Sequence, residues 1–375
     1  MEFNLIATCA FGLEKILKNE LIELGYDDFK VENGRVHFKG DEMDIAICNI
    51  HLRTAERVLI NLKEFKALTF DQLFEETKSI DFGELIPIDG KMHIIGKSVR
   101  SKLYSVPDCQ SIVKKAVVES MKRTYNMNTF SETGPVYKIE IGILKDIATL
   151  TVDTSGVGLH KRGYREHSGA APLKETLAAA LVYIAGYEGK RTLIDPFCGS
   201  GTILIEAAMI LKNIAPNADR TFVSETWPSF PKDIYDQVRE GAKRQIKDTE
   251  IMLYGYDLDS YVISTAKNNA KKAGVFSNIF FEQKNYMNLN IKEDNVMIIT
   301  NPPYGERMGD IKTIERLISR LGREKAKKID DEYFILSPHT GFERIFGFKA
   351  DKNRKLYNGR IQTYYYQYFA NKRGN

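Results

Sequence analysis

The second half of the chain repeats one order, a short apolar stretch followed by a longer amphipathic one, and this order constrains the fold more than any other feature. The apolar stretches predict strands over 192–195, 252–257 and 296–300, and the amphipathic ones predict helices over 202–211, 261–273 and 311–320. Repeated strand-then-helix order is typical of a parallel, doubly wound sheet. We therefore predict an α/β domain whose ligands bind at the carboxyl ends of these strands.

A glycine-rich loop follows the first of these strands, in the sequence Asp195-Pro196-Phe197-Cys198-Gly199-Ser200-Gly201-Thr202. A dinucleotide-binding loop would need a third glycine where Leu204 stands, and a phosphate-binding loop would need a lysine after it. Because glycines let the backbone approach a ligand closely, the loop favours a nucleoside ligand without a pyrophosphate. S-adenosylmethionine is such a ligand, and we expect the backbone of 199–201 and the Asp195 carboxylate to meet its amino-acid part. A structural turn is the alternative for this motif alone.

Two polar positions at the ends of the following strands suit the rest of such a ligand. The next strand ends at Asp257-Leu258-Asp259, where a carboxylate can accept both ribose hydroxyls, as in other doubly wound nucleotide sites. Asp257 is therefore predicted to hold the ribose, and Asp259 to cap the helix that follows. Asn285, after the strand at 279–283, is predicted to meet the adenine edge through its side-chain amide.

The most specific motif is Asn301-Pro302-Pro303-Tyr304, directly after the apolar strand at 296–300. Two prolines fix the backbone and remove two N–H donors, which leaves carbonyl oxygens in a fixed geometry. The Asn301 side-chain oxygen and the Pro302 carbonyl can each accept one hydrogen from a base amino group, and Tyr304 can stack on the base. Positioning then favours methyl transfer to the amino nitrogen without a strong general base. A stiff turn is the alternative, but it accounts poorly for three motifs in this order.

The first half of the chain predicts two small α+β units. Apolar residues recur at helical spacing from Leu13 to Leu24 and stop at Gly25, and Asn33-Gly34 is typical of a tight hairpin turn. Farther on, helices are expected near 70–77 and 110–125, and strands near 92–95 and 137–144. Residues 91–125 hold eight Lys or Arg against two acids, so this stretch either contacts nucleic-acid phosphates or forms a solvated helix face. The candidate RNA-binding residues are Lys97, Arg100, Lys102, Lys114 and Lys115.

Other features argue against several classes of protein. The four cysteines are far apart and the six histidines lack metal-binding spacing, so neither a disulfide framework nor a metal site is indicated. No apolar run approaches the roughly 18 residues needed to span a bilayer, and the first residues lack a basic leader. At 375 residues, the chain is expected to be a multidomain protein of the cytoplasm.

In four stretches, 7–13, 162–178, 195–202 and 301–304, the chain resembles the THUMP-containing class I RNA methyltransferases of the UPF0020 family. Within this family it is most similar to the bacterial group that methylates N2 of guanine in large-subunit rRNA. The resemblance implies an α/β fold with three parts. These are a ferredoxin-like domain (1–60), a THUMP RNA-binding domain (61–160) and a Rossmann-like methyltransferase domain (161–375) with a mostly parallel seven-stranded sheet. It also implies an antiparallel hairpin over 355–369, with its turn at Asn358-Gly359.

The resemblance further implies S-adenosylmethionine as the cofactor and RNA as the partner, with no metal and no membrane. The predicted reaction is methylation of an exocyclic base amino group, guanine N2 in 23S rRNA, with tRNA as the alternative RNA. A DNA amino-methyltransferase and a non-enzymatic RNA-binding module are the other hypotheses. Many relatives have Asp where this chain has Asn285. The predicted cofactor-binding residues are Pro172, Leu173, Glu175, Thr176, Asp195, Phe197, Cys198, Gly199, Ser200, Gly201, Asp257, Leu258 and Asn285, and the predicted catalytic residues are Asn301, Pro302, Pro303 and Tyr304.

Overall fold

The first half of the described chain folds into one sheet flanked by helices. The computed structural model describes residues 2–165, 173–304 and 310–370. The strands of this half are β1 (Phe3–Thr8), β2 (Lys30–Glu32), β3 (Arg35–Gly40), β4 (Arg57–Lys66), β5 (Lys91–Val99), β6 (Val136–Leu144) and β7 (Ile147–Asp153). The helices are α1 (Glu14–Glu23), α2 (Glu42–His51), α3 (Phe70–Lys78) and α4 (Val106–Tyr125).

Strand order in this sheet is β2-β3-β1-β4-β7-β6-β5. The predicted hairpin is confirmed, because β2 and β3 pair antiparallel across Asn33-Gly34 and Gly34 has a φ of +76°. Strand β4 pairs with both β1 and β7. The predicted domain boundary at residue 60 therefore falls inside a strand shared by both halves of one sheet, and the division at that residue stays a prediction.

The second half forms another seven-stranded sheet, with the order β10-β9-β8-β11-β12-β14-β13. The first five strands in this order are parallel, and β14 pairs antiparallel with both β12 and β13, which confirms the predicted fold class and the terminal hairpin. The strands are β8 (Thr192–Asp195), β9 (Leu253–Asp257), β10 (Ile279–Gln283), β11 (Val296–Thr300), β12 (Glu332–Ser337), β13 (Lys352–Asn358) and β14 (Ile361–Tyr368). The helices are α5 (Glu175–Ala185), α6 (Thr202–Leu211), α7 (Ile234–Arg244), α8 (Ser260–Lys272), α9 (Asp310–Lys327) and α10 (Phe342–Phe346).

Strand β8 lies at the point where the strand order of the second sheet reverses. Chain order runs from β8 through β9 to β10 on one side, and from β11 to β12 on the other. In doubly wound sheets, such a switch point opens a crevice at the carboxyl ends of the strands, where ligands bind. The glycine-rich loop after β8 and the acceptor motif after β11 therefore border the same crevice.

A buried polar cluster around Arg162 joins the two halves. The guanidinium donates to the carbonyls of Leu159, at 2.7 Å, and of Arg53, and it lies 3.4 Å from the Glu206 carboxylate. Because buried charges are costly unless paired, this cluster favours one fixed arrangement of the two sheets. Within 2–165, 173–304 and 310–370, every helix is too short or too polar to cross a lipid bilayer.

Candidate active site

The glycine-rich loop turns between β8 and α6 and is held by the neighbouring strand. Gly199 and Gly201 have φ values of +54° and +83°, a left-handed conformation that other residues rarely adopt. A Cβ atom on Gly201 would lie 2.9 Å from the Phe281 ring, whereas one on Gly199 would meet nothing within 4 Å. The Cys198 N–H donates to the Tyr256 carbonyl over 2.9 Å. The loop is therefore packed at Gly201 and open at Gly199, where a ligand can approach.

The remaining predicted residues of this loop make contacts that fix its shape. Cys198 is buried, and burial raises the pKa of its thiol well above the ordinary value, so the thiol stays neutral. Phe197 packs against Tyr286 with 4.9 Å between the ring centroids. The Ser200 carbonyl accepts a hydrogen bond from the Asn269 side chain. These groups position the backbone that faces the crevice.

Asp195 links the loop to the strand that precedes the acceptor motif. Its side chain is 1% exposed and accepts hydrogen bonds from the Thr300 hydroxyl at 2.6 Å and the Phe197 N–H at 3.1 Å. Burial raises the pKa of the Asp195 carboxyl to about 7, although these two hydrogen bonds act in the opposite direction. Sequence reasoning misses Thr300, because the contact depends on the pairing of β8 with β11; the available signal was a threonine ending an otherwise apolar strand.

Asp257 lies at the carboxyl end of β9, where both of its carboxylate oxygens meet backbone N–H groups. Oδ2 accepts from Gly199 at 3.0 Å and Oδ1 accepts from Asp259 at 3.1 Å. Asp259 caps α8, as predicted. Leu258, between the two, is 64% exposed. Asp257 is half-buried, so it anchors the glycine-rich loop and keeps further lone pairs available to a ligand.

Asn285 is exposed after β10, and its side-chain oxygen already has a partner. That oxygen accepts from the Met287 N–H over 2.9 Å and caps the short 3-10 turn at 286–288. The NH₂ group, a hydrogen-bond donor, and the second lone pair of Oδ1 remain for a ligand. The donor suits a ring nitrogen of adenine, and the remaining lone pair suits its exocyclic amino group. The adenine contact of Asn285 stays a prediction.

The acceptor motif leaves β11 with Pro302 buried and Pro303 exposed. The Tyr304 hydroxyl donates to Asn301 Oδ1 over 2.7 Å. Burial raises the pKa of Tyr304 to about 12, against the lowering effect of hydrogen bonds with Asn358 and Asn301, so this hydroxyl is a neutral donor near pH 7. Asn301 Oδ1 thus keeps one lone pair for another donor. Stacking of the Tyr304 ring on a base stays a prediction.

The start of α5 reaches the glycine-rich loop through Arg165, which sequence reasoning misses. Arg165 donates to the Leu173 carbonyl at 2.9 Å and to the Thr202 hydroxyl, and its Nε lies 3.4 Å from Glu175. Burial raises the pKa of the Glu175 carboxyl, while the Arg165 charge opposes that shift. Leu173 and Glu175 thus both contact Arg165, which contacts Thr202 at the end of the loop, and their predicted cofactor contacts, like that of Thr176, stay predictions. Pro172 lies outside the described residues.

Glu56, in the first half, holds the same helix start from the other side. It accepts hydrogen bonds from Thr176 at 2.9 Å and Lys174 at 3.2 Å, and it lies 2.9 Å from His160 Nδ1. Burial would raise the pKa of Glu56, but these partners lower it to about 2, so the carboxylate stays ionised. The buried Thr176 hydroxyl thus contacts this carboxylate. No local pattern identifies Glu56, because its partners are more than a hundred residues away.

Three of the five predicted RNA-binding residues have partners on the protein. Lys97 pairs with Glu140, and Lys114 pairs with Glu132 at 2.6 Å. Lys115 Nζ lies 5.6 Å from the centre of the Phe74 ring. The two ion-paired lysines are therefore less available to phosphates than their number in the sequence suggests.

Arg100 and Lys102 stand apart from these, in the turn between β5 and α4. Both are exposed, and neither forms an ion pair within the part of the chain that the structure describes. Tyr104 in the same turn is 84% exposed. The turn therefore presents two unpaired cations and one aromatic ring to solvent.

Comparison with family models covers most of the chain. The model described as the RMKL-like methyltransferase domain matches residues 162–367. The RlmL ferredoxin-like domain matches residues 4–59, and the THUMP domain matches residues 67–153.

Individual proteins are similar over nearly the full length. YpsC of Bacillus subtilis (strain 168), described provisionally as an RNA methyltransferase, is 45% identical over 98% of this chain and 96% of its own. The crystal structure of a possible methylase from Clostridium difficile 630 has a TM-score of 0.97 and 44% identity and covers 100% of both chains. SMU.472, described provisionally as a methyltransferase and solved with SAH, has a TM-score of 0.94 and 39% identity over 100% of this chain and 99% of its own.

Proposed function

This chain belongs to the RMKL-like family of methyltransferases, and on that premise we propose that it methylates N2 of a guanine in 23S ribosomal RNA. RNA methylation with S-adenosylmethionine as the cofactor follows from the family; the base and the RNA are the proposal. The observation that carries it is the acceptor motif at 301–304, which the hydrogen bond between Thr300 and Asp195 ties to the glycine-rich loop. Transfer RNA is the alternative substrate.

The residues at the strand ends fit S-adenosylmethionine. Asp257 can accept the ribose hydroxyls, Leu258 offers an exposed apolar side chain to the adenine, and Gly199 leaves open space beside them. Asp195 has no cationic partner among the described residues, and the cofactor's ammonium group would provide one. When bound, the cofactor supplies an electrophilic methyl group on a sulfonium.

The acceptor motif positions the base amino group. Asn301 Oδ1 and the Pro302 carbonyl each accept one hydrogen, which directs the nitrogen lone pair away from both oxygens and towards the cofactor side. The Tyr304 hydroxyl holds the Asn301 side chain in orientation. As the nitrogen becomes positive in the transition state, both hydrogen bonds strengthen, and such preorganised acceptors lower the barrier without a general base. The methylated nitrogen then loses its extra proton to water.

Cofactor affinity is expected to rise with pH between 6.0 and 7.5. Asp195 has a raised pKa, about 7, so it is mostly protonated at pH 6 and gains its charge as the pH rises. If only the carboxylate pairs with the ammonium group, wild-type affinity should be about tenfold weaker at pH 6.0 than at pH 7.5, by linkage. Calorimetric titration with S-adenosylmethionine at both values measures this.

The control for this pH dependence is Asp195→Asn. This variant should bind the cofactor more weakly, and its affinity lacks the pH dependence that the Asp195 carboxyl contributes. Its affinity should change little across the same interval, and any titration of the cofactor itself is common to both proteins. A wild-type affinity that is equal at the two pH values would remove the ammonium contact from Asp195.

Neutralising the turn after β5 is expected to flatten the salt dependence of RNA binding. For Arg100→Gln with Lys102→Gln, the slope of log affinity against log salt should fall by about 1.4 to 1.8, since each phosphate contact contributes roughly 0.7 to 0.9. The matched pair Lys97→Gln and Lys114→Gln should change the slope less, because these lysines are engaged by Glu140 and Glu132. Filter binding of extracted ribosomal RNA at several salt concentrations gives the slopes; a slope unchanged by the first pair would show that this turn is only a solvated surface.

The test of the proposed function is methylation of RNA from a strain that lacks this gene. Extracted 23S rRNA, bulk tRNA and genomic DNA are incubated separately with the protein and S-adenosylmethionine, and the products are mapped by mass spectrometry. N2-methylguanine in 23S rRNA alone is the expected result. The same product in tRNA supports the alternative, and methylation of genomic DNA but neither RNA would contradict the RNA assignment. Cofactor binding without any transfer would favour a non-catalytic RNA-binding role.

A further inference from the structure

An exposed aromatic ring stands on a fixed loop between β1 and α1. Phe11 is 59% exposed, although it lies in the stretch 7–13 that resembles the family. The Glu14 carboxylate accepts from the N–H groups of Gly12 at 3.0 Å and Gly34 at 2.8 Å, which fixes the loop. The Phe11 ring lies against Gly34, where an added Cβ would be 3.3 Å from it. A fixed backbone therefore keeps this ring exposed to solvent. The contact with Gly34 covers only part of the ring.

Contacts through the terminal hairpin connect this ring to the acceptor motif. Gly12 sits so close to β13 that an added Cβ would lie 3.0 Å from the Lys355 carbonyl. The rings of Phe11 and Tyr357 meet edge to face, with centroids 6.5 Å apart. The next residue, Asn358, is buried and hydrogen-bonds the Tyr304 hydroxyl. The loop of the first half therefore reaches within a short chain of contacts of the proposed methyl acceptor site.

The charges around these rings favour a polyanion. Lys355 Nζ lies 5.5 Å from the centre of the Tyr357 ring, and Arg360 is exposed in the turn of the same hairpin. Among the described residues, neither Lys355 nor Arg360 has an ion-pair partner. Glu14, which follows the loop that carries Phe11, has both carboxylate oxygens engaged by backbone N–H groups. Aromatic faces next to unpaired cations suit stacked bases and their phosphates better than an apolar protein surface.

We propose that Phe11 and Tyr357, with Lys355 and Arg360, form a stacking platform for an unpaired nucleotide next to the target base. This inference deepens the proposed function and rests on RNA being the substrate. A target base must leave its stack to reach Asn301, which leaves its neighbour without a stacking partner. The platform replaces that partner, with Phe11 stacking on the neighbouring base and the two cations contacting its phosphates.

The test measures the affinity of the full-length chain for a fluorescein-labelled uridine dodecamer and for an RNA duplex of the same length, by fluorescence anisotropy. Phe11→Ala should weaken dodecamer binding about fivefold or more, the lower end of the range for base–aromatic stacking. Duplex binding should change less than twofold, because paired bases present no free face. Phe11→Leu should lose as much as Phe11→Ala, and Phe11→Trp should keep wild-type affinity.

The matched control is Phe280→Ala, which removes a phenylalanine of similar exposure, 48%, from β10 at the opposite edge of the second sheet. It should leave dodecamer binding unchanged. Unaltered affinity for S-adenosylmethionine shows that each variant is folded. Any of four results overturns the platform: a loss below fivefold in Phe11→Ala, full affinity in Phe11→Leu, an equal loss of duplex binding, or no binding of the dodecamer by the wild-type protein. A loss below fivefold in Phe11→Ala would point to a protein partner instead.

Failure of the platform is distinguishable from failure of the proposed function. If dodecamer binding depends on Phe11 but 23S rRNA is not methylated on guanine, the platform is supported and the proposed target is contradicted. If guanine methylation is normal but dodecamer binding does not depend on Phe11, the target is supported and the platform is contradicted.

Discussion

Replacing Asn301 with alanine is expected to lower the rate of methyl transfer about a hundredfold or more at saturating cofactor and RNA. The variant loses one of the two preorganised oxygens that orient the base amino group, and removal of one such hydrogen-bond partner typically has an effect of about this size. Cofactor affinity should stay near that of wild type, because Asn301 follows β11 whereas the ribose and the adenine are assigned to the ends of β9 and β10. Single-turnover kinetics, with calorimetry of cofactor binding, separates the two effects.

Tyr304→Phe is the matched control for this experiment. It keeps the ring but removes the hydroxyl that donates to Asn301 Oδ1. If the hydroxyl only orients Asn301, the rate should fall much less than in Asn301→Ala, while any stacking of the ring on the base is preserved. A rate for Asn301→Ala within threefold of wild type would exclude Asn301 from the mechanism.

Elements that depend on short-range patterns could be predicted from the sequence. The strand at 192–195, the helix at 202–211, the strand at 296–300 and the turn at Asn33-Gly34 all agree with the structure. In each, apolar periodicity and glycine or proline positions act within about ten residues, so the signal is local. The Asp259 cap belongs to the same class, since its partners are the N–H groups of the next residues.

Contacts between distant strands could not be predicted in this way. Thr300 meets Asp195 across 105 residues, and Glu56 meets Thr176 across 120. Each contact depends on which strands pair and in which register, and the short stretch around either residue does not show this. The same reason explains β4, whose central place between β1 and β7 joins two stretches that look separate in the sequence.

The acceptor motif shows a different limit. Sequence reasoning assigned Tyr304 to stacking from its aromatic ring, and the structure adds a role for the hydroxyl, which reaches back to Asn301. A proline-fixed turn allows this return, because residues 301 and 304 lie across it. The residue type was therefore informative, but the contacts of the hydroxyl with Asn301 and with Asn358 of the terminal hairpin depend on the folded structure.

Replacing Asp257 with alanine is expected to weaken S-adenosylmethionine binding by two orders of magnitude or more. Two charge-assisted hydrogen bonds to the ribose hydroxyls are lost, each contributing roughly 1.5 to 3 kcal/mol, and tenfold in affinity corresponds to about 1.4 kcal/mol. The structure adds a second cause, because the same carboxylate anchors the Gly199 N–H at 3.0 Å. Without that anchor, the glycine-rich loop loses part of the order that its left-handed glycines require. Calorimetry with the cofactor measures the loss, and RNA affinity should not change.

Asp259→Ala separates the ribose contact from a general loss of local structure. Asp259 is two residues away and caps α8, so its removal should lower the free energy of unfolding by about 1 kcal/mol without comparable loss of cofactor affinity. Asp257→Asn is intermediate, since the amide keeps one acceptor oxygen for either Gly199 or the ribose but loses the charge. If the Asp257 carboxylate binds both the loop and the ribose, cofactor affinity should decrease from wild type through Asp257→Asn to Asp257→Ala. Asp259→Ala should stay close to wild type. If Asp257→Ala has unaltered cofactor affinity and Asp259→Ala loses affinity, the ribose instead binds Asp259. The residue that caps α8 would then contact the cofactor directly.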